Sequence, residues 1–158
     1  MKSAQLQPDF RTLAEFRYQI RRFLHFSDVA AERVGIEPQQ HQLLLALKGL
    51  PRGTPPTIGA LAERLQLRHH STVELVDRLV ERGFLIRLRA TDDRRRVLIR
   101  LTRAGEECLA GLASYHLQEL RSAGPEFVAL LQSLAQNAGG HAQRPNLRTE
   151  NKNRKGET

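Results

Sequence analysis

Seven arginines fall between Arg87 and Arg103, opposed in that stretch only by Asp92 and Asp93, so it carries a net charge of +5. Guanidinium groups stay charged throughout the physiological range and present a fork of donors, so the chemistry offered here is anion binding. The arginines alternate with apolar residues in Leu85-Ile86-Arg87-Leu88-Arg89 and again in Val97-Leu98-Ile99-Arg100-Leu101, on either side of the turn Ala90-Thr91-Asp92-Asp93. Such alternation predicts two short amphipathic strands joined as a hairpin, with arginine on the outer face and at the tip. Leu85, Leu88, Leu98 and Leu101 are expected to anchor it. Charge in that position cannot be buried and must meet water or an anion.

Other chemistry-bearing residues do not converge. There are six histidines. His69 and His70 are adjacent, a spacing that does not put both on one helical face, while His25, His41 and His116 lie on separate segments, so no metal site is expected. Glu106-Glu107 and Asp92-Asp93 suit a helix start and a turn. No GxGxxG, GxxxxGKS/T or GxSxG pattern occurs, and neither a cofactor nor catalysis is expected. The single cysteine, Cys108, excludes an internal disulfide and a CxxC site, and among apolar helical neighbours it reads as a small buried residue. It fits a reducing compartment. Charged residues from Asp9 to Arg22 interrupt any signal-type apolar run, and no stretch approaches the ~18 apolar residues of a membrane span. A cytoplasmic, non-membrane protein is expected.

With 158 residues, 40% of them hydrophobic, the chain is long enough for one domain with a real core, or one domain and an arm. The net charge of +8 favours a polyanionic partner. Its distribution is uneven: residues 1–86 carry +3, residues 104–138 carry −3 and residues 139–158 carry +3. Only 5% of residues are aromatic, which leaves no stacking face for single-stranded RNA.

The elements that position the hairpin follow from hydrophobic period and punctuation. From Phe10 to about Arg33, apolar positions recur every three or four residues, which predicts a long amphipathic helix closed by Gly35. Glu37-Pro38 opens a second helix to about Lys48, stopped by Gly49-Leu50-Pro51. Thr57 caps a short helix, Ile58 to Gln66, and after a turn at Leu67-Arg68 another runs from about His69 to Arg82, ending at Gly83. Thr102 precedes a long amphipathic stretch on Leu109, Leu112, Ala113, His116, Leu117 and Leu120, expected to break at Gly124-Pro125 before a final helix from about Glu126 to Gln136. From Gly139 the chain is almost devoid of apolar residues, and residues 139–158 are expected to form a disordered basic tail.

Helix, turn, helix and charged hairpin in that order suit duplex DNA. A helical wheel of His69 to Gly83 groups Thr72, Leu75, Val76, Leu79 and Val80 on one side. The second helix of such a pair inserts its N-terminal turns into the major groove, so His69, His70, Ser71, Val73 and Glu74 are candidate base-edge readers, and Arg68 and Arg78 candidate phosphate contacts. The alternatives are a solvated helix face in a helical domain and a winged-helix adaptor whose hairpin meets an acidic protein partner.

The segments PQQHQLLLALKGLP, TIGALAERLQLRHHSTVELVDRLVERGFLIR and DDRRRVLIRLTRAG resemble the MarR-type winged helix-turn-helix regulators, from about Arg17 to Leu120. The most specific part is the Asp/Arg wing followed by Leu101-Thr102-Arg103-Ala104-Gly105. The resemblance implies a mainly α fold with a small β-hairpin wing, a winged helix-turn-helix flanked by dimerisation helices. On that basis residues 8–138 form the domain, with a DNA-binding core at about 57–102 and dimerisation helices at about 10–33 and 103–138. It further implies a homodimer that represses genes by binding an inverted repeat and releases double-stranded DNA when a small ligand, often aromatic, binds. Of the family's wing pattern, Asp93 and Arg95 match, whereas Asp92 replaces a customary arginine. Arg94 is then the candidate for the minor groove, with Arg89 and Arg96 as phosphate contacts or partners of Asp93. Phe16, Arg17, Ile20, Phe23, His41 and Leu44 lie on the helices the family uses for ligands and serve either a pocket for an aromatic acid or the core.

Overall fold

Asp9 starts the first helix. In the computed structural model, which describes residues 9–91, 93 and 95–139, its carboxylate accepts the Thr12 N–H at 3.0 Å and the Thr12 hydroxyl at 2.6 Å. Helix α1 spans Phe10–Arg33. It leaves through Gly35 at φ +74°, where the Ile36 N–H donates back to the Ala31 carbonyl at 3.0 Å, a left-handed exit that a Cβ would disfavour. Helix α2, Pro38–Lys48, has proline in its first turn, and the Gln40 side chain accepts the Glu37 N–H at 3.2 Å. Helix α3, Ile58–Leu65, is capped by the Thr57 hydroxyl, which accepts from the Ala60 N–H at 3.3 Å.

Helix α4, His69–Glu81, begins at Arg68 without a side-chain cap, as the absence of a Ser, Thr, Asp or Asn there implies. It buries Thr72, Leu75, Val76 and Leu79, the face the wheel selects, and ends at Gly83 with φ +74°. Strands β1, Leu85–Arg89, and β2, Val97–Leu101, pair antiparallel, with Leu85 opposite Leu101, Arg87 opposite Ile99 and Leu88 opposite Leu98. The strict period of two corrects the expected anchors. Leu85 and Ile99 are the buried residues of the two strands, while Leu88 and Leu98 face each other, half-buried, on the other side. Arg87 shares the face of Leu85, and it lies there because Asp77 of α4 pairs with it.

Helix α5 runs unbroken over Arg103–Gly139 with Pro125 inside it, so the expected break at Gly124-Pro125 does not occur. Proline deletes one N–H from the ladder and crowds the carbonyl four residues earlier. Packing overrides this local preference: α5 lies along α1, and Phe127 stacks on Phe16 with ring centroids 5.3 Å apart. One core joins all the elements, built from Ala31, Leu43, Leu44, Leu61, Leu75, Leu79, Leu85, Ile99 and Leu112 among others. Among the described residues no helix is long and apolar enough to cross a membrane. Of the expected tail, residues 139–158, Gly139 belongs to α5 and residues 140–158 lie outside the described residues, as do Asp92 and Arg94.

The start of α5 is the tightest junction. Thr102 caps it, its hydroxyl accepting the Gly105 N–H at 3.1 Å and donating to the Gly83 carbonyl at 2.6 Å, while its own N–H donates to the Phe84 carbonyl at 3.0 Å. Gly105 is buried, and a Cβ there would come within 2.3 Å of the Phe84 carbonyl oxygen. Gly105→Ala is therefore expected to destabilise the fold by about 1–3 kcal/mol, as overpacking against backbone does. A urea denaturation midpoint equal to that of the wild type would refute the close approach.

Candidate nucleic-acid interface

The proposed reading surface is the N-terminal half of α4. His69, His70 and Glu74 are exposed, Ser71 and Val73 are half-buried, and Arg68 is exposed at the N-cap. The intervening Thr72 is fully buried and donates its hydroxyl to the Arg68 carbonyl at 3.1 Å. That bond joins the Thr72 N–H on the same carbonyl and helps seat the first turn on the core, while the first-turn N–H groups stay without a side-chain cap.

The hairpin stands beside this helix. Arg89 and Arg95 are exposed and Arg96 is half-buried. The wing turn is organised by Asp93, whose carboxylate accepts the Arg95 N–H at 2.9 Å and whose carbonyl accepts the Arg96 N–H at 2.9 Å. Ala90, buried, closes the turn by donating its N–H to the Arg96 carbonyl at 2.9 Å. Asp93 thus shapes the backbone that presents the basic side chains. The base of the wing is tied down as well: the Ile99 N–H donates to the Pro56 carbonyl at 2.7 Å, so the loop before α3 borders β2.

Arg78, a candidate phosphate contact, and Arg82 both reach other parts of the chain. Arg78 lies 3.4 Å from the Glu37 carboxylate at the start of α2. Arg82, which periodicity does not single out, donates to Gln40 at 2.7 Å and to the Gly35 carbonyl at 2.6 Å, and its guanidinium lies 5.0 Å from the centre of the Phe84 ring. Together they fasten α4 to the corner between α1 and α2. The only sequence signal for Arg82 is its place beside the terminating Gly83, where a cation meets the last carbonyls of a helix favourably.

The six candidate ligand residues are spread over the core and the contacts between the helices. Leu44 is core, Phe16 stacks on Phe127, Phe23 meets His116 edge-on at 6.1 Å, Ile20 is half-buried and Arg17 is exposed. His41 is buried and stacks on His116 at 4.9 Å. A cavity of about 440 Å³ lies further along α1, between Arg22, His25, Phe26 and Arg33 of α1 and Tyr115 and Glu119 of α5. None of the six lines it. Its walls combine basic, aromatic and aliphatic side chains with the carboxylate of Glu119. Cys108 is half-buried, and burial pushes its thiol up while Arg82 pulls the other way. Among the described residues no group of three or more His, Cys, Asp or Glu side chains gathers as a metal site.

A short helix and a second, outward-facing helix followed by a basic hairpin define a winged helix-turn-helix. Residues 34–96 match the sequence model of the MarR family. Solved structures agree on the fold. Wild-type MarR from E. coli superposes with a TM-score of 0.63 at 20% identity, covering 85% of this chain and 98% of that one. A mutant of MepR from S. aureus bound to an oligodeoxyribonucleotide gives 0.61 at 18% identity, covering 84% and 99%. CouR from Rhodococcus jostii bound to p-coumaroyl-CoA gives 0.62 at 20% identity, covering 90% and 100%. A search of curated proteins returns no match.

Loss of the Arg82 bonds should loosen the seat of α4. Arg82→Ala is expected to lower stability by about 1–2 kcal/mol, the low end for bonds to a charged group because the side chain is exposed, with Arg82→Lys retaining part. Equal stability of Arg82→Ala and wild type in urea would show that these bonds contribute nothing.

Proposed function

We propose that this chain is a homodimeric DNA-binding transcriptional regulator, a ligand-responsive repressor that recognises an inverted-repeat operator. The observation that carries the reading is the pairing of an exposed α4 N-terminus with an exposed basic wing on a frame whose opposite faces form one core. His69, His70, Ser71, Val73 and Glu74 face the major groove. Arg68, Arg89, Arg95 and Arg96 hold the backbone, and Arg94 takes the minor groove on the strength of its place in the sequence. Arg78 serves phosphate only by leaving Glu37. The DNA-bound MepR and ligand-bound CouR structures support a duplex partner and a small ligand for this fold.

Dimerisation rests on the long helices. Phe10, Leu13 and Tyr18 of α1 and Tyr115, Leu117 and Leu120 of α5 are exposed, with Phe10 at 74% and Leu117 at 58%. Apolar surface repeated along two helices is characteristic of a partner interface. Two-fold symmetry then sets half-sites about one turn of B-DNA apart, roughly 10 bp.

Fluorescence anisotropy on duplexes from the gene's own upstream region tests the reading. Arg95→Ala is expected to weaken operator and unrelated DNA alike and to flatten the slope of log K against log salt by about 0.9 for each phosphate that is no longer neutralised. Ser71→Ala or Glu74→Ala should instead cost about 1–3 kcal/mol on the operator and leave unrelated DNA unchanged. Failure of the wild type to bind any duplex at low salt would favour an adaptor with an acidic protein partner.

A further inference from the structure

The interior holds a polar feature that DNA recognition does not use. His41, in the first half of α2 and 2% exposed, stacks on His116 of α5, with planes 21° from parallel. Phe23 and Phe26 of α1 meet the His116 ring edge-on at 6.1 and 6.2 Å. Three helices therefore close around two imidazoles. Both ring nitrogens of His41 and Nε2 of His116 are buried and have no hydrogen-bond partner among the described residues.

A neutral imidazole left without partners is costly, and an imidazolium in the same slot, with both nitrogens now donors and no acceptor against them, is far costlier. We propose that the His41–His116 stack is an acid-sensitive latch between α2 and α5: neutral rings hold the helix-turn-helix body against the long helices, and protonation of either ring parts them. The displacement has a route to the reading helix. Gln40, beside His41, is held by Arg82, and Glu37, one turn earlier, by Arg78, so α2 cannot move without pulling on α4.

The charges around the latch are few. Asp28 of α1 favours the protonated form of His41 and so opposes the latch's neutrality. Arg22 and His25 of α1 and Glu119 of α5 face the cavity. Arg82 of α4 stands on Gln40, and at the far end of α2 Lys48 pairs with Glu106 of α5 at 2.7 Å. Glu63 and Arg64 of α3 and Arg100 of β2 are exposed. Burial pushes both imidazoles below the ordinary 6.5, and His116 adds to that effect on His41. The folded chain therefore takes up fewer protons than the unfolded one. Stability from this pair is intact above 6.5, declines as the pH falls below it, and is fully lost beneath the lowered folded-state values.

Urea denaturation of the full chain tests the latch without DNA. Between about pH 7.5 and about pH 5.0 the wild-type unfolding constant should rise severalfold, because the folded chain binds protons at the two rings more weakly than the unfolded chain. His41→Leu and His116→Leu should each remove much of that rise, and a variant retaining the full wild-type dependence overturns the proposal. Histidine ring NMR on the wild type decides the matter even where a variant does not fold. The two rings should titrate below 6.5 and separate as they do so. Titration at or above 6.5 with the rings still stacked overturns it. Duplex affinity should weaken over the same pH window in the wild type and much less in the variants. If no duplex binds at any pH, the DNA reading fails while the urea and NMR results still decide the latch.

Discussion

The bonds around Thr102 are the constraint on which the rest of the structure depends. One hydroxyl caps α5 and reaches the Gly83 carbonyl, and one N–H reaches the Phe84 carbonyl, so the end of α4, the base of the hairpin and the first turn of α5 meet at a single residue. Gly105 allows this because a side chain there would collide with the Phe84 backbone. Backbone groups at a helix end and a helix start are the ones that lack intrahelical partners. Here each end supplies what the other needs, and the wing is aimed as a consequence.

Around that junction the reading helix is held on three sides. Its inner face enters the core through Leu75, Val76 and Leu79. Asp77 pairs with Arg87 of the wing, and Arg78 and Arg82 reach the corner between α1 and α2. Individually these exposed ion pairs contribute little to stability. Their effect is geometric, since they join α4 to both neighbours that would change its angle. Much of the helix's charge thereby serves posture, and the groups left to meet a ligand lie toward its N-terminus.

The long helices form a different environment. Apolar residues such as Phe10, Leu13, Tyr115 and Leu117 are exposed along them, and the segment 104–138 is acidic overall, opposite in sign to the wing. Between them and α2 sit the buried His41 and the half-buried His116, whose ring nitrogens, Nδ1 of His116 apart, are buried without hydrogen-bond partners among the described residues. A well-packed interior seldom retains such groups without a structural or functional reason. The stack lies where the frame meets the body that carries the reading helix, which is the place where a small change in charge has most leverage on geometry.

Much of the site was legible in one dimension. The boundaries of α1 and α2, both strands, the buried face of α4 and the wing's excess of arginine follow from local period, capping and charge, which act over a few residues and leave their mark in adjacent positions. What local rules cannot hold is any balance struck with a distant segment. Pro125 reads as a break, yet Phe127 packing on Phe16 keeps α5 continuous. Leu88 and Leu98 read as anchors, yet register gives that part to Leu85 and Ile99. Arg78 reads as a phosphate contact and Arg82 only as the last residue of a helix, and His41 and His116 as histidines on separate segments, until the fold brings their neighbours to them. The chain alone determined the first four helices, both strands and where the charge lies, because those depend on neighbours in sequence. Tertiary structure alone decided which charges are bound and which imidazoles meet, because contact energy depends on distance in space.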